Sequence, residues 1–137
     1  MSSEKRVAFS LLLLRLGIFV VMFIWTLDKF INPKHAAAVY EAFYGLKGMG
    51  ATVMYSLATA EMALILGFVA GYKKKWTYGA VLALHAISTF SSYKQYLDPF
   101  APSHLLFFAA WPMLAACFAL FYLRDLDTRW SLDKPSL

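Results

Sequence analysis

The chain has a single cysteine, Cys117, among its 137 residues. It cannot close a disulfide within itself or run a two-cysteine redox cycle unaided. The apolar neighbours Ala115, Ala116 and Phe118 mark the thiol as a packed, inert one. Charge is scarce too: 15% of the residues are Asp, Glu, Lys or Arg, against 61% hydrophobic and 18% aromatic. Soluble domains are only about half apolar, and so short a chain has too little interior to hide the excess. The histidines at positions 35, 85 and 104 have no close ligand spacing, and Met22, Met62 and Met113 read as ordinary gap-fillers, so no metal or haem site is expected. A GxGxxG fingerprint, a P-loop and a nucleophile elbow are all missing.

What is present is a series of long apolar runs, about Val7 to Phe30, Ala51 to Tyr72, Trp76 to Tyr96 and His104 to Leu123. Crossing the hydrocarbon takes about 20 mostly apolar residues. The chain is therefore expected to be an all-α integral membrane protein, one domain over residues 1–137 forming a four-helix bundle. Lys5-Arg6 precede a run too long for a signal-peptide core and without an obvious cleavage site, so the first helix is expected to be retained. The formal charge of +5 does not gather on one face as a nucleic-acid binder requires; it sits at the ends of the apolar runs. Lys5, Arg6, Lys73, Lys74, Lys75, Arg124, Arg129 and Lys134 fall on one side of a four-span chain, leaving mainly Lys34 and Lys47 opposite. The positive-inside rule then places both termini in the cytoplasm, with Tyr72, Trp76 and Tyr122 as the inner aromatic belt. Asn32-Pro33 followed by Ala36, Val39, Tyr40 and Phe43 up to Gly45 predicts a short amphipathic helix at the interface. Trp111-Pro112 predicts a kink in the last span.

Ionisable groups inside a span cost at least a few kcal/mol unless they face the protein interior and find partners. Counted along each span at about 1.5 Å per residue, Arg15, Glu61 and His85 fall at similar depths. An Arg15–Glu61 intramembrane pair is expected, with His85 nearby. On a continuous helix His85, Ser88, Thr89, Ser92 and Tyr96 form one polar stripe, a candidate ligand-binding face. Asp28, Lys29, His35, Lys94 and Asp98 are candidates for the outer rim of a pocket, the last two as an ion pair. Each has a purely structural alternative, since buried pairs and hydroxyls also join helices.

The first-span string LLRLGIFVVMFIWTLDKFINP, the acid within ATAEMALILGFVAG and the compact spans resemble the DoxX-like family of small membrane proteins, over about Leu11 to Leu123. Arg15 and Lys29 match that family's first-helix arginine and the lysine of its GxxK-type turn, and Glu61 matches its second-helix acid. Thr26-Leu27-Asp28 stands where the family more often has glycine, and HAISTFSSYKQYLDPF is more elaborate than the family pattern. The resemblance implies a multi-pass protein of a prokaryotic cytoplasmic membrane, in a family linked to quinone-coupled sulfur oxidation and other membrane redox systems. From this come three expectations. The first is a subunit or binding protein for a quinone or similar amphipath, working with a membrane or soluble redox partner. The second is a proton-linked or solute transport component, which at this size needs a homo-oligomer. The third is an accessory protein of a larger complex, docking through Pro33 to Gly45.

Overall fold

A computed structural model describes residues 1–134. It is all-α: α1 (Ser3–Ile31), α2 (Pro33–Tyr44), α3 (Ala51–Val69), α4 (Lys74–Ser91), α5 (Tyr93–Leu97) and α6 (Ala110–Tyr122), with 3-10 turns at His104–Ala109 and Arg124–Leu126 and no strand among the described residues. The longer helices pack in succession, α1 on α3, α3 on α4, α4 on α6 and α6 back on α1, while α2 covers part of α1, α3 and α4. Their shared interior holds Leu11, Ile18, Met22, Ile65, Phe68, Tyr78, Val81, Cys117 and Leu120.

Three segments, Ser3–Ile31, Ala51–Val69 and His104–Tyr122, are long and apolar enough to cross a membrane. The third expected span is the exception. Its helix opens on Lys74 and Lys75, carries Thr77, His85, Ser88, Thr89 and Ser91, and stops at Ser91. The chain then restarts as the five-residue α5. At Trp111-Pro112, where a kink is expected, the helix type changes: a 3-10 turn becomes α-helix at Ala110, and Pro112 lies in the first turn, where its missing N–H goes unneeded. Beside this apolar interior, several polar side chains are buried and many large apolar ones are exposed. Arg15, Thr26, His85, Thr89 and Asp127 are buried, whereas Leu13, Val20, Ile24, Ile87, Phe90 and Phe118 are exposed.

Asn32 ends α1 and begins α2, but its side chain caps neither helix and lies 3.5 Å from Asp28 Oδ1. Gly45, at φ 68°, closes α2 in the left-handed conformation that glycine adopts without steric cost. The apolar residues of α2 turn onto the other helices, which makes it a cover over them.

Residues 124–133 fold back under the helix ends. Leu132 and Asp133 donate their N–H groups to the carbonyls of Ala70 and Gly71 at 2.8 and 2.9 Å. The Asp133 carboxylate accepts the N–H groups of Lys73 and Lys74, each at 2.9 Å, and so serves two of the donors that every helix start leaves unpaired. Gly71 makes this docking possible. Its φ is +65°, and a Cβ there would meet Ser131 at 2.6 to 2.9 Å.

Gly71→Ala is therefore expected to destabilise the protein by at least about 1–2 kcal/mol from the left-handed backbone alone, with the Ser131 contact adding to it. Gly17→Ala, with nothing within 4 Å of the added carbon, should gain about 0.5–1 kcal/mol from helix propensity. Thermal unfolding of both variants in detergent micelles checks this contrast. Acid should release the docked segment as well. Burial alone would raise the Asp133 carboxyl, but the N–H groups and charges of Lys74 and Lys73 outweigh it and hold it below its ordinary value. A carboxylate with a depressed folded pKa adds stability above its unfolded pKa of about 3.9 and loses it as pH falls through the folded one. Amide exchange at Leu132 and Asp133 should accelerate over that window, and Asp133→Asn should remove most of the acceleration.

Candidate functional site

Arg15 and Glu61 do not pair. Arg15 Nη1 lies 3.2 Å from Asp127 Oδ2 and donates to the Tyr78 hydroxyl at 3.1 Å; that hydroxyl in turn donates to Asp127 at 2.6 Å. Nη2 of Arg15 donates to the carbonyls of Arg129 and Trp130. Lys74 completes the group, its Nζ donating to the carbonyls of Arg124 and Asp127. Burial lowers the Lys74 pKa and Asp127 partly opposes this. The reason for the altered pairing is register. Twelve residues separate Ser3, where α1 starts, from Arg15, but only four separate Lys74, where α4 starts, from Tyr78. At about 1.5 Å per residue, α1 thus begins about 12 Å beyond the start of α4. Arg15 consequently sits near the end of the helix assembly at which α1 begins, where Asp127 can reach it.

Glu61 lies further along α1, beside a different partner. Its Oε2 is 3.0 Å from Lys29 Nζ, and its Oε1 accepts from the Thr26 hydroxyl at 2.7 Å. Thr26 is eleven residues beyond Arg15, or about 16 Å along the helix. The Lys29 ammonium also stands 5.9 Å from the centre of the Tyr40 ring, a cation–π contact that joins α2 to the pair. Burial, reinforced by the Glu61 charge, pushes the Tyr40 phenol up to about 12, so it remains a neutral hydroxyl at physiological pH.

Between α1, α2 and α4 lies a chamber of about 350 Å³. Its polar lining comprises Asp28, Lys29, His35, Glu61, His85, Ser88 and Ser92, set among Met22, Trp25, Val39, Phe43 and Phe107. Asp28 and His35 stand together, Nδ1 to Oδ2 2.6 Å, with His35 exposed. Deeper in, His85 is buried and stacks on Trp25 with 6.1 Å between ring centres. Its Nε2 lies 2.9 Å from the Ala110 carbonyl, which can only accept, so Nε2 carries the proton. Nδ1 is then a bare acceptor, buried and without a partner among the described residues.

Six of the residues expected at a pocket thus line one space, His85, Ser88, Ser92, Asp28, Lys29 and His35, and Glu61, expected instead to pair with Arg15, joins them. The others do not. Thr89 is buried and returns its hydroxyl to the His85 carbonyl at 2.7 Å, a bond within the helix. The stripe is broken before Tyr96, which belongs to α5 and packs against Phe108 and Trp111. Lys94 lies over the Tyr93 ring and Asp98 receives His104 at its backbone carbonyl; the expected ion pair between them is not formed. Asp127, Tyr78 and Tyr40 were not anticipated. Asp127 carried a signal, being an acid close to the end of the last apolar run when Arg15 needed one. Among the described residues no group of three or more His, Cys, Asp or Glu side chains is placed to hold a metal ion. No family model, curated protein or solved structure matches the chain.

Removing one partner of a buried pair leaves an uncompensated charge and costs about 3–5 kcal/mol. Asp127→Ala is expected to fall in that range, and Arg15→Met should recover part of the loss when combined with it. A double-mutant cycle for Arg15 and Glu61 should be additive within about 0.5 kcal/mol, as for distant sites. Unfolding measured on the single and double variants decides between the two pairings.

Proposed function

We propose that the protein is a DoxX-like, four-span membrane component that binds a quinone or similar amphipath in the chamber between α1, α2 and α4. The membrane reading draws support from the three apolar segments and the exposed apolar exterior. In this reading α4 is the fourth span, its polar residues turned towards its neighbours, and the lysine-rich end carrying both termini faces the cytoplasm. The observation that carries the proposal is the unpartnered Nδ1 of buried His85 on a side chain lining a chamber that also holds the Lys29–Glu61 pair.

Such a chamber suits a compact ring with oxygen at both edges. A hydroxyl on the ligand donates to His85 Nδ1 once the side chains around that closed-off nitrogen give way, and a carbonyl oxygen accepts from Lys29, whose charge Glu61 keeps neutralised. Trp25 and Phe43 flank the ring. The neutral imidazole can take up the hydroxyl proton, and Glu61 and Lys29 provide a second exchange point. Electrons come from or go to a redox partner in this reading. The role is therefore that of a binding subunit in a membrane redox system.

Native mass spectrometry after gentle extraction, with identification of any retained small molecule, is the direct test. A quinone or related amphipath should be retained by the wild type. His85→Phe keeps the stacked ring but removes the acceptor, and it should weaken binding of a benzoquinol probe about tenfold, the worth of one buried hydrogen bond. A protein that binds no such probe saturably, or binds it equally well after His85→Phe, would overturn the proposal.

A further inference from the structure

A second cavity, about 620 Å³, lies beside the chamber. It is a lateral groove between α1 and the segment formed by the His104–Ala109 turn and α6. Trp25, His85, Ser88, Ser92 and Phe107 line both spaces, so they share a wall. Beyond that wall the groove is apolar. Leu13, Leu14, Gly17 and Val21 form one side and Met113 and Ala116 the other. Leu13, Leu14 and Leu106 are exposed, which leaves the groove open along its length to whatever surrounds the helices.

The direction of the groove is set by the helices. From Trp25 back to Leu13 is twelve residues of α1, and from Phe107 on to Ala116 is nine residues in the opposite chain direction. At helical rise both sides run about 14–18 Å towards the end that carries Arg15 and the start of α1. The groove's own polar residues, His85, Ser88 and Ser92, lie where the two cavities meet. The pair thus has the outline of an amphipath, with a compact polar head seat leading into an apolar trough.

Resting on the binding proposed above, we infer that the ligand is a long-chain amphipath whose tail lies in this groove, and that it enters sideways from the bilayer between α1 and α6. Its head passes the Trp25–His85–Phe107 wall to reach Lys29 and Glu61. This excludes short water-soluble quinones as the natural ligand class and assigns α2 to covering the head. Lipid chains are as apolar as the groove, so tail binding contributes positional selectivity more than affinity.

The test uses the full protein in phospholipid nanodiscs with dodecyl-benzoquinol probes bearing a diazirine either next to the ring or at the end of the tail. Ring-proximal label should appear around Trp25, Lys29 or His85, and tail-end label between Leu13 and Val21 or at Met113 and Ala116. Excess unlabelled quinol should displace both. Gly17 has nothing within 4 Å of an added Cβ, so Gly17→Phe fills the groove without a clash at that carbon. It should reduce tail-end label at least fivefold and leave unfolding temperature and ring-proximal label near wild type. If the ring is held saturably but the tail label falls on α2 or on residues 46–50, the groove assignment is wrong and the chamber proposal stands. If a fatty-acid diazirine without the ring labels the groove equally and quinol displaces neither probe, the groove holds ordinary lipid and the inference fails. Absence of saturable ring-proximal label in the wild type would remove both.

Discussion

The salt bridge between Arg15 and Asp127 is the constraint on which the rest of the structure depends. Both side chains are fully buried, and a guanidinium removed from water is tolerable only with a countercharge and several acceptors around it. Asp127, the Tyr78 hydroxyl and the carbonyls of Arg129 and Trp130 supply these to its two terminal nitrogens from two other parts of the chain, while Arg15 Nε and Asp127 Oδ1 stay without a partner among the described residues. Satisfying one arginine thereby draws α1, α4 and the segment after α6 to a single point. The contacts of Ser131, Leu132 and Asp133 with the α3–α4 turn follow from where that segment has been brought.

Once Arg15 is committed there, Glu61 and Lys29 become each other's partners far along α1. The protein therefore has two ionic centres with different surroundings. The one near the termini is closed off by backbone carbonyls. The other opens on a chamber, and its ammonium touches both a carboxylate and an aromatic face. Geometry of this kind separates holding from binding: the arginine cluster stabilises the arrangement of helices, and the lysine pair is available to a ligand.

Much of this was legible in the residues. Apolar runs and their charged ends predicted an all-α chain, and the spacing of Ala36, Val39, Tyr40 and Phe43 predicted α2 to its closing glycine. His85, Ser88 and Ser92 were recognisable as one face because helical periodicity survives without tertiary information. Failures arose where a residue's depth was inferred from the end of its own helix. That count assumes that all helices start at one level, and α1 starts well beyond α4. Tyr96 was misplaced for a local reason, because the helix ends at Ser91. Asp127 escaped because a short polar stretch after a span carries no periodicity to show that it returns to the interior.

The same salt bridge joins residues 112 apart in sequence. At ~5–20 residues per second of synthesis, Arg15 spends several seconds without its carboxylate after α1 has emerged. Until Asp127 has been made, α1 lacks the contact that ties it to the segment after α6, and a chain halted before that residue leaves Arg15 without its countercharge.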